Sequence, residues 1–91
     1  MVYDFPTTER FRKAFAKLPK EVQSQARDAY KQFKQNPFYP SLRYKRVHST
    51  KPIYSVRITL EYRAIGVQIE NEIIWFWIGS HDDDAKLLSR L

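Results

Sequence analysis

The strongest constraint on this chain is a change of hydrophobic period just before its middle. Up to Ser41, apolar side chains recur every three or four positions, as on a helix face; beyond it they alternate or run on without a break. Residues 53–84 show the second regime most clearly. Ile53-Tyr54-Ser55-Val56-Arg57-Ile58 is followed by Glu61-Tyr62-Arg63-Ala64-Ile65-Gly66-Val67, and then by Ile73-Ile74-Trp75-Phe76-Trp77-Ile78-Gly79-Ser80-His81. Each run carries one cationic or titratable residue at a strand position or at its end: Arg57, Arg63 and His81. An antiparallel sheet in so small a chain buries one face. These charges therefore either occupy the wet face by default or converge on something anionic.

The helical half resolves into two segments. Thr7 or Thr8 caps a first helix whose apolar residues are Phe11, Phe15 and Leu18, and Leu18-Pro19 breaks it. Pro19 with Glu21 suits the first turn of a second helix, with Val22, Ala26, Ala29, Tyr30 and Phe33 on one stripe and Lys20, Arg27, Lys31 and Lys34 elsewhere. Asn36-Pro37 ends that helix, and Pro37 and Pro40 bracket a rigid loop, Phe38-Tyr39. Ahead of the helices, residues 2–5 read as a short strand. Behind them, residues 42–47 form a charged strand and residues 48–52 a loop; turns at Leu60-Glu61 and Glu70-Asn71 then separate three further strands. The last strand, residues 72–79, is apolar on both faces and is expected to be central, with Trp75 and Trp77 on one face and Phe76 and Ile78 on the other. Ser80 or His81 starts a C-terminal helix whose first turn holds Asp82, Asp83 and Asp84, where a helix N-terminus favours negative charge. The expected architecture is α+β, an N-terminal strand and helical hairpin packed on an antiparallel β-meander, closed by a short helix.

Composition removes several functional classes. A length of 91 residues predicts one domain over residues 1–91, and a 43% hydrophobic share is enough for a packed core. No cysteine is present, which excludes disulfides, a thiolate zinc site and a thiol nucleophile. The longest apolar run, Ile73 to Ile78, falls far short of the roughly 20 residues of a membrane span. Met1-Val2-Tyr3-Asp4-Phe5-Pro6 lacks the basic-then-apolar pattern of a secretion signal, so a cytoplasmic protein without membrane partners is expected. Charge is uneven: residues 1–51 hold 12 Lys/Arg against 4 Asp/Glu (12 − 4 = +8), and residues 52–91 hold 4 against 6 (4 − 6 = −2). Such an excess suits a polyanionic partner, a nucleic acid or an acidic protein segment, and equally a solvated basic helix face.

A helical hairpin, then Pro40-Ser41-Leu42 with Lys45, then Tyr54-Ser55-Val56-Arg57-Ile58, Tyr62-Arg63-Ala64 and Trp77-Ile78-Gly79-Ser80-His81, resembles the RelE/ParE superfamily of bacterial toxins from toxin–antitoxin pairs. The likeness runs from Phe11 to Leu88. It implies a small basic toxin bound in a heteromeric complex by its cognate antitoxin. RelE-like members cleave mRNA held in the ribosomal A site, without metal or cofactor, whereas ParE-like members inhibit DNA gyrase and lack nuclease residues. The RelE-like branch fits better, with a weakened paralogue that only binds its antitoxin as a further alternative.

Metal-free cleavage has the 2′-OH attack the adjacent phosphate, which calls for proton transfer and for cations around a phosphorane of growing charge. Arg57 and Arg63 match the strand-borne cations of RelE-like toxins, and Arg is forked for two phosphate oxygens. They lie directly opposite one another only if the turn between them holds an odd number of residues. His81 matches the strand-end Arg or His of related toxins, and an imidazole exchanges protons near neutral pH; it is assigned as general acid or base. Arg43, Lys45, Arg46 and Tyr62 are the candidate RNA and phosphate contacts, and Asp84 is a candidate proton acceptor. His48 reads as a surface loop residue. The chain departs from the family in having no Tyr on the terminal helix and no Glu among residues 42–46.

Overall fold

A computed structural model describes residues 6–91, so the strand expected at residues 2–5 lies outside the described part. Helix α1 spans Glu9–Ala16 and starts at Thr8, whose hydroxyl accepts from the Phe11 N–H at 3.1 Å. Helix α2 spans Lys20–Gln35, with Pro19 at the N-cap rather than inside the first turn. Gln23 ties the two helices together, its Nε2 donating to the carbonyls of Phe15 and Leu18, both at 3.1 Å. The Phe15 carbonyl also accepts from the Leu18 N–H at 3.1 Å, so the end of α1 is bonded by both backbone and side chain.

Residues 42–47 do not form the continuous strand expected. Pro40–Leu42 is a 3₁₀ turn, Arg43 follows in a left-handed conformation (φ 45°), and strand β1 is only Lys45–Arg46. Strands β2 (Ile53–Arg57), β3 (Tyr62–Ile69) and β4 (Glu72–Ser80) follow, and helix α3 spans His81–Leu88. All pairings are antiparallel, in the order β1-β2-β3-β4. Among the described strands β4 comes last in this order, and residues 6–8 pair along its outer side. Its outer side meets Thr7 in a parallel bridge to Trp75, with Thr8 N–H donating to the Trp75 carbonyl at 3.0 Å.

The sheet separates two cores. On one face Val56, Ala64, Trp75 and Ile78 pack with Phe11 and Phe15 of α1 and Ala26 and Ala29 of α2. On the other, Ile53 and Ile65 pack with Leu87 of α3, flanked by Phe76 and Trp77. Fully burying one such Phe or Leu stabilises the fold by about 1.5–3 kcal/mol. A β-bulge decides which tryptophan goes where. The register shifts between Ile65 and Gly66, so Trp77 faces Ile65 and Trp75 faces Gly66, with Phe76 the extra residue. Trp75 and Trp77 therefore lie on opposite faces, contrary to the strict alternation expected. Gly66 explains where the shift falls: a Cβ there would sit 2.5 Å from Ile73 Cγ2 and 2.9 Å from Trp75 Cε3. The Trp75 ring occupies the space that a side chain would need.

Candidate active site

Arg57 and Arg63 are opposite one another in the β2–β3 ladder. The turn between the strands supplies three residues, Thr59, Leu60 and Glu61, beyond the Ile58 N–H to Tyr62 carbonyl bond of 2.9 Å. Its geometry is fixed by the Thr59 hydroxyl, which accepts from the N–H groups of Glu61 (3.1 Å) and Tyr62 (3.2 Å). The odd count starts both side chains from one face of the ladder. With residues 58 and 62 hydrogen-bonded, antiparallel alternation makes Arg57 and Arg63 the closer, non-bonded kind of pair, with Cα atoms about 4.5 Å apart. Across β3, Arg63 is opposite Gly79, which contributes no side chain to that row.

The two arginines are steered apart at their tips. Arg57 Nε donates to the Ser41 carbonyl of the 3₁₀ turn at 3.3 Å, and Arg63 Nε donates to His81 Nδ1 at 3.0 Å. His81 is held at this place by its backbone. Its N–H donates to the Glu61 carbonyl at 2.8 Å, and Ser80 caps α3 by accepting from the Asp83 N–H at 3.2 Å. Because an arginine Nε always carries its hydrogen, His81 Nδ1 must be the acceptor, and the neutral ring keeps its proton on Nε2. The imidazole is exposed, so Nε2 is open to a ligand.

Asp84 lies one turn into α3 and is only 2% exposed. Neither of its oxygens, nor Trp77 Nε1, reaches full hydrogen-bond geometry with any described group. Burial pushes the carboxyl up to about 7, against the pull of the Trp77 indole N–H and the Arg63 guanidinium; Asp83 adds to the rise. Both Asp84 oxygens are enclosed, whereas the His81 imidazole is exposed. Trp77 was not singled out by sequence as part of this cluster. Its ring lies against Gly79, where a Cβ would come within 3.0 Å, and the Arg10 guanidinium stands 5.5 Å from its centroid.

The remaining candidates divide between the two faces. Lys45 is opposite Ser55, on the side of Arg57 and Arg63, and is exposed. Arg46 is opposite Tyr54 on the other side, its Nε shared between the carbonyls of His48 (3.1 Å) and Lys51 (3.3 Å). Arg43, ahead of both in sequence, is exposed in its left-handed turn. Tyr62 precedes Arg63 and so faces away from the arginine pair. It borders a groove of about 570 Å³ shared with Arg10, Lys13, Lys17, Ser80 and Asp83. His48 is a loop organiser, its Nδ1 accepting from the N–H groups of Thr50 (3.2 Å) and Lys51 (3.0 Å).

Comparison with known proteins agrees with this architecture. Over residues 20–83 the chain matches the family described as the ParE-like toxin domain. YafQ from Escherichia coli superposes with a TM-score of 0.71 at 11% identity, covering 90% of this chain and 97% of that one. YoeB in the YoeB–YefM complex from Staphylococcus aureus gives 0.69 at 15% identity (89% and 99% covered). The RelB–RelE antitoxin–toxin complex from Methanococcus jannaschii gives 0.68 at 14% identity (90% and 96%). No curated protein sequence matches the chain. The family match spans well over half of the sequence, and the solved neighbours share its fold: the chain belongs to the ParE-like toxin domain family.

Proposed function

We propose that this toxin is an endoribonuclease that cuts mRNA in the ribosome by metal-free attack of a 2′-hydroxyl on the adjacent phosphate. The observation that carries the reading is the opposed Arg57–Arg63 pair with Arg63 bonded to His81. Two like charges directly across a strand pair destabilise a sheet, and an anion between them removes that penalty. A scissile phosphate would take guanidinium N–H groups from both arginines, and their hold strengthens as charge grows on the phosphorane. In the unliganded chain Arg63 occupies the lone pair of His81. A phosphate that draws the guanidinium to itself frees Nδ1 to accept the 2′-OH proton. The 2′-oxygen then bonds to phosphorus while the bond to the 5′-oxygen breaks, and that oxygen takes up a proton from water. The products are a 2′,3′-cyclic phosphate and a 5′-hydroxyl. Lys45, on the same face, suits a flanking phosphate. The ribosome as the setting follows from the RelE-like members that the chain resembles.

A cognate antitoxin is the second partner. The neighbours from Methanococcus jannaschii and Staphylococcus aureus are complexes with RelB and YefM, and a net charge of +6 suits an acidic wrapping segment. Induced expression of the chain is expected to stop translation and to leave cuts inside ribosome-bound mRNA. His81→Ala should lower cutting by about 10²–10⁴-fold, the usual worth of general acid–base catalysis. Full cutting by that variant would remove the proton-transfer role. The description of the matching family favours a second reading, gyrase inhibition; intact mRNA together with DNA-damage signalling would establish it. Harmless expression without any antitoxin would mark a weakened paralogue.

A further inference from the structure

From Ala29 to Leu60 the chain runs for 32 residues without a carboxylate while carrying seven Lys or Arg. Folded, this stretch ends α2 and builds the 3₁₀ turn, β1 and β2, the β1 side of the sheet. A row of rings crosses it. Tyr44 stacks on Tyr54 at 5.1 Å and 21°, and Phe38 meets Tyr44 edge-on at 6.1 Å. Phe33 anchors the row to the core, with centroids 5.1 Å from Tyr44 and 5.4 Å from Trp75. Packing accounts for the inner rings but not for the outer ones: Phe38 is 76% exposed and Tyr39 47%. Their loop is held in place, since Phe38 N–H donates to Asn36 Oδ1 at 3.0 Å and Tyr39 N–H to the Asn36 carbonyl at 3.1 Å. The chain thus maintains an ordered, cationic surface with aromatic side chains presented to solvent.

We propose that this surface is a docking site for single-stranded RNA, separate from the arginine–histidine cluster, with bases stacking on Phe38 and Tyr39 and phosphates held by Arg43 and Arg46. Charge alone would equally suit an acidic peptide. The rings decide for RNA, because every base offers a planar face to an aromatic side chain and a carboxylate does not. Residue alternation in β1 links the two sites: Lys45 faces the arginine pair, and Arg46 shares the side of Tyr54. An RNA strand leaving the scissile position can therefore cross this two-residue strand and continue onto the rings.

The proposal shares with the nuclease reading only its class of ligand, and its test reads binding without cutting. The probe is a fluorescein-labelled oligouridylate of about ten nucleotides, titrated with the whole chain and followed by fluorescence anisotropy. Phe38→Ala should weaken binding about tenfold without changing its salt slope, and Phe38→Trp should restore it. Arg43→Gln should lower the salt slope by about 0.7. Ile69→Ala removes an exposed apolar residue at the opposite hairpin, 56% accessible, and should leave the affinity unchanged. The readout is binding alone, so a wild type that binds RNA without cutting it upholds this site while the nuclease reading fails. Equal binding by wild type and Phe38→Ala, or no RNA binding by wild type, overturns the proposal. So does a Phe38→Ala variant that loses a polyglutamate peptide while keeping the RNA.

Discussion

At Asp84 the chain buries a carboxyl group whose charged form nothing nearby fully satisfies. Trp77 Nε1 and the Arg63 guanidinium pull towards the ionised form, yet burial outweighs them and holds the carboxyl at about 7, against 3.8 for the free group. The native state therefore keeps a proton between about pH 4 and pH 7 that the unfolded chain has released. The sign follows from proton linkage: this group's stabilisation is full below pH 3.8 and is lost as pH rises through 7. Asp84→Asn cannot ionise and keeps the shape. Relative to wild type it should gain on the order of 2 kcal/mol at pH 8, with the gain shrinking towards pH 4. Urea unfolding at pH 5 and pH 8 checks this. Parallel stabilities of the two proteins across that range would mean that the carboxyl is not strained. The sequence places Asp84 correctly in the first turn of a helix beside His81, but not its inward direction. That depends on Leu87, one turn on, facing Ile53 and Ile65.

At the scale of elements, the β-bulge of β4 sets the geometry of both cores. It turns Trp75 towards the α1–α2 side and Trp77 towards α3, and only a glycine at position 66 leaves room for the Trp75 ring. Gly66→Ala should cost about 1–3 kcal/mol, the range for overpacking, and should move the Trp75 environment more than that of His81. Tryptophan near-UV circular dichroism alongside thermal melts reads both effects. A stability within about 0.5 kcal/mol of wild type, the range of ordinary surface changes, would show that the ring yields easily. The same element marks where sequence reading succeeds and where it fails. Period and turn chemistry suffice for α1, α2, β2 and β3, because each is set by neighbours in sequence, and they narrow the start of α3 to Ser80 or His81. Register across strands is not local. Strict alternation put both tryptophans on one face, although the lone glycine within β3 is the usual mark of a bulge. Residues 42–47 read as one strand because their side chains alternate; the Pro40 turn and left-handed Arg43 shorten it to two residues. The opposition of Arg57 and Arg63 was stated in the sequence only as a condition on turn length. The Thr59 hydroxyl, binding two turn N–H groups, is what satisfies it.

At the scale of the whole molecule, the sheet divides labour between its faces. The α1–α2 core holds Phe11 and Phe15, while Arg63, His81 and Asp84 cluster on the α3 side. The two cores should therefore respond differently to truncation. Phe15→Ala should cost about 3–5 kcal/mol and leave the Arg63–His81 contact unchanged in whatever fraction remains folded. Leu87→Ala, in a smaller cluster, should cost about 2–3 kcal/mol, yet it should loosen the helix whose first residue is His81. Native-state hydrogen exchange separates the cases, since elements open locally when their own contacts are few. In Leu87→Ala the α3 amides should exchange well before global unfolding, and the proposed RNA cutting should fall per folded molecule. In Phe15→Ala the amides of all three helices should exchange closer together, and the proposed cutting should track only the folded fraction. If Leu87→Ala keeps α3 protected as fully as the β3–β4 ladder, the terminal helix is held by its cap and by Asp84 rather than by its apolar face. The two cores would then not be independent.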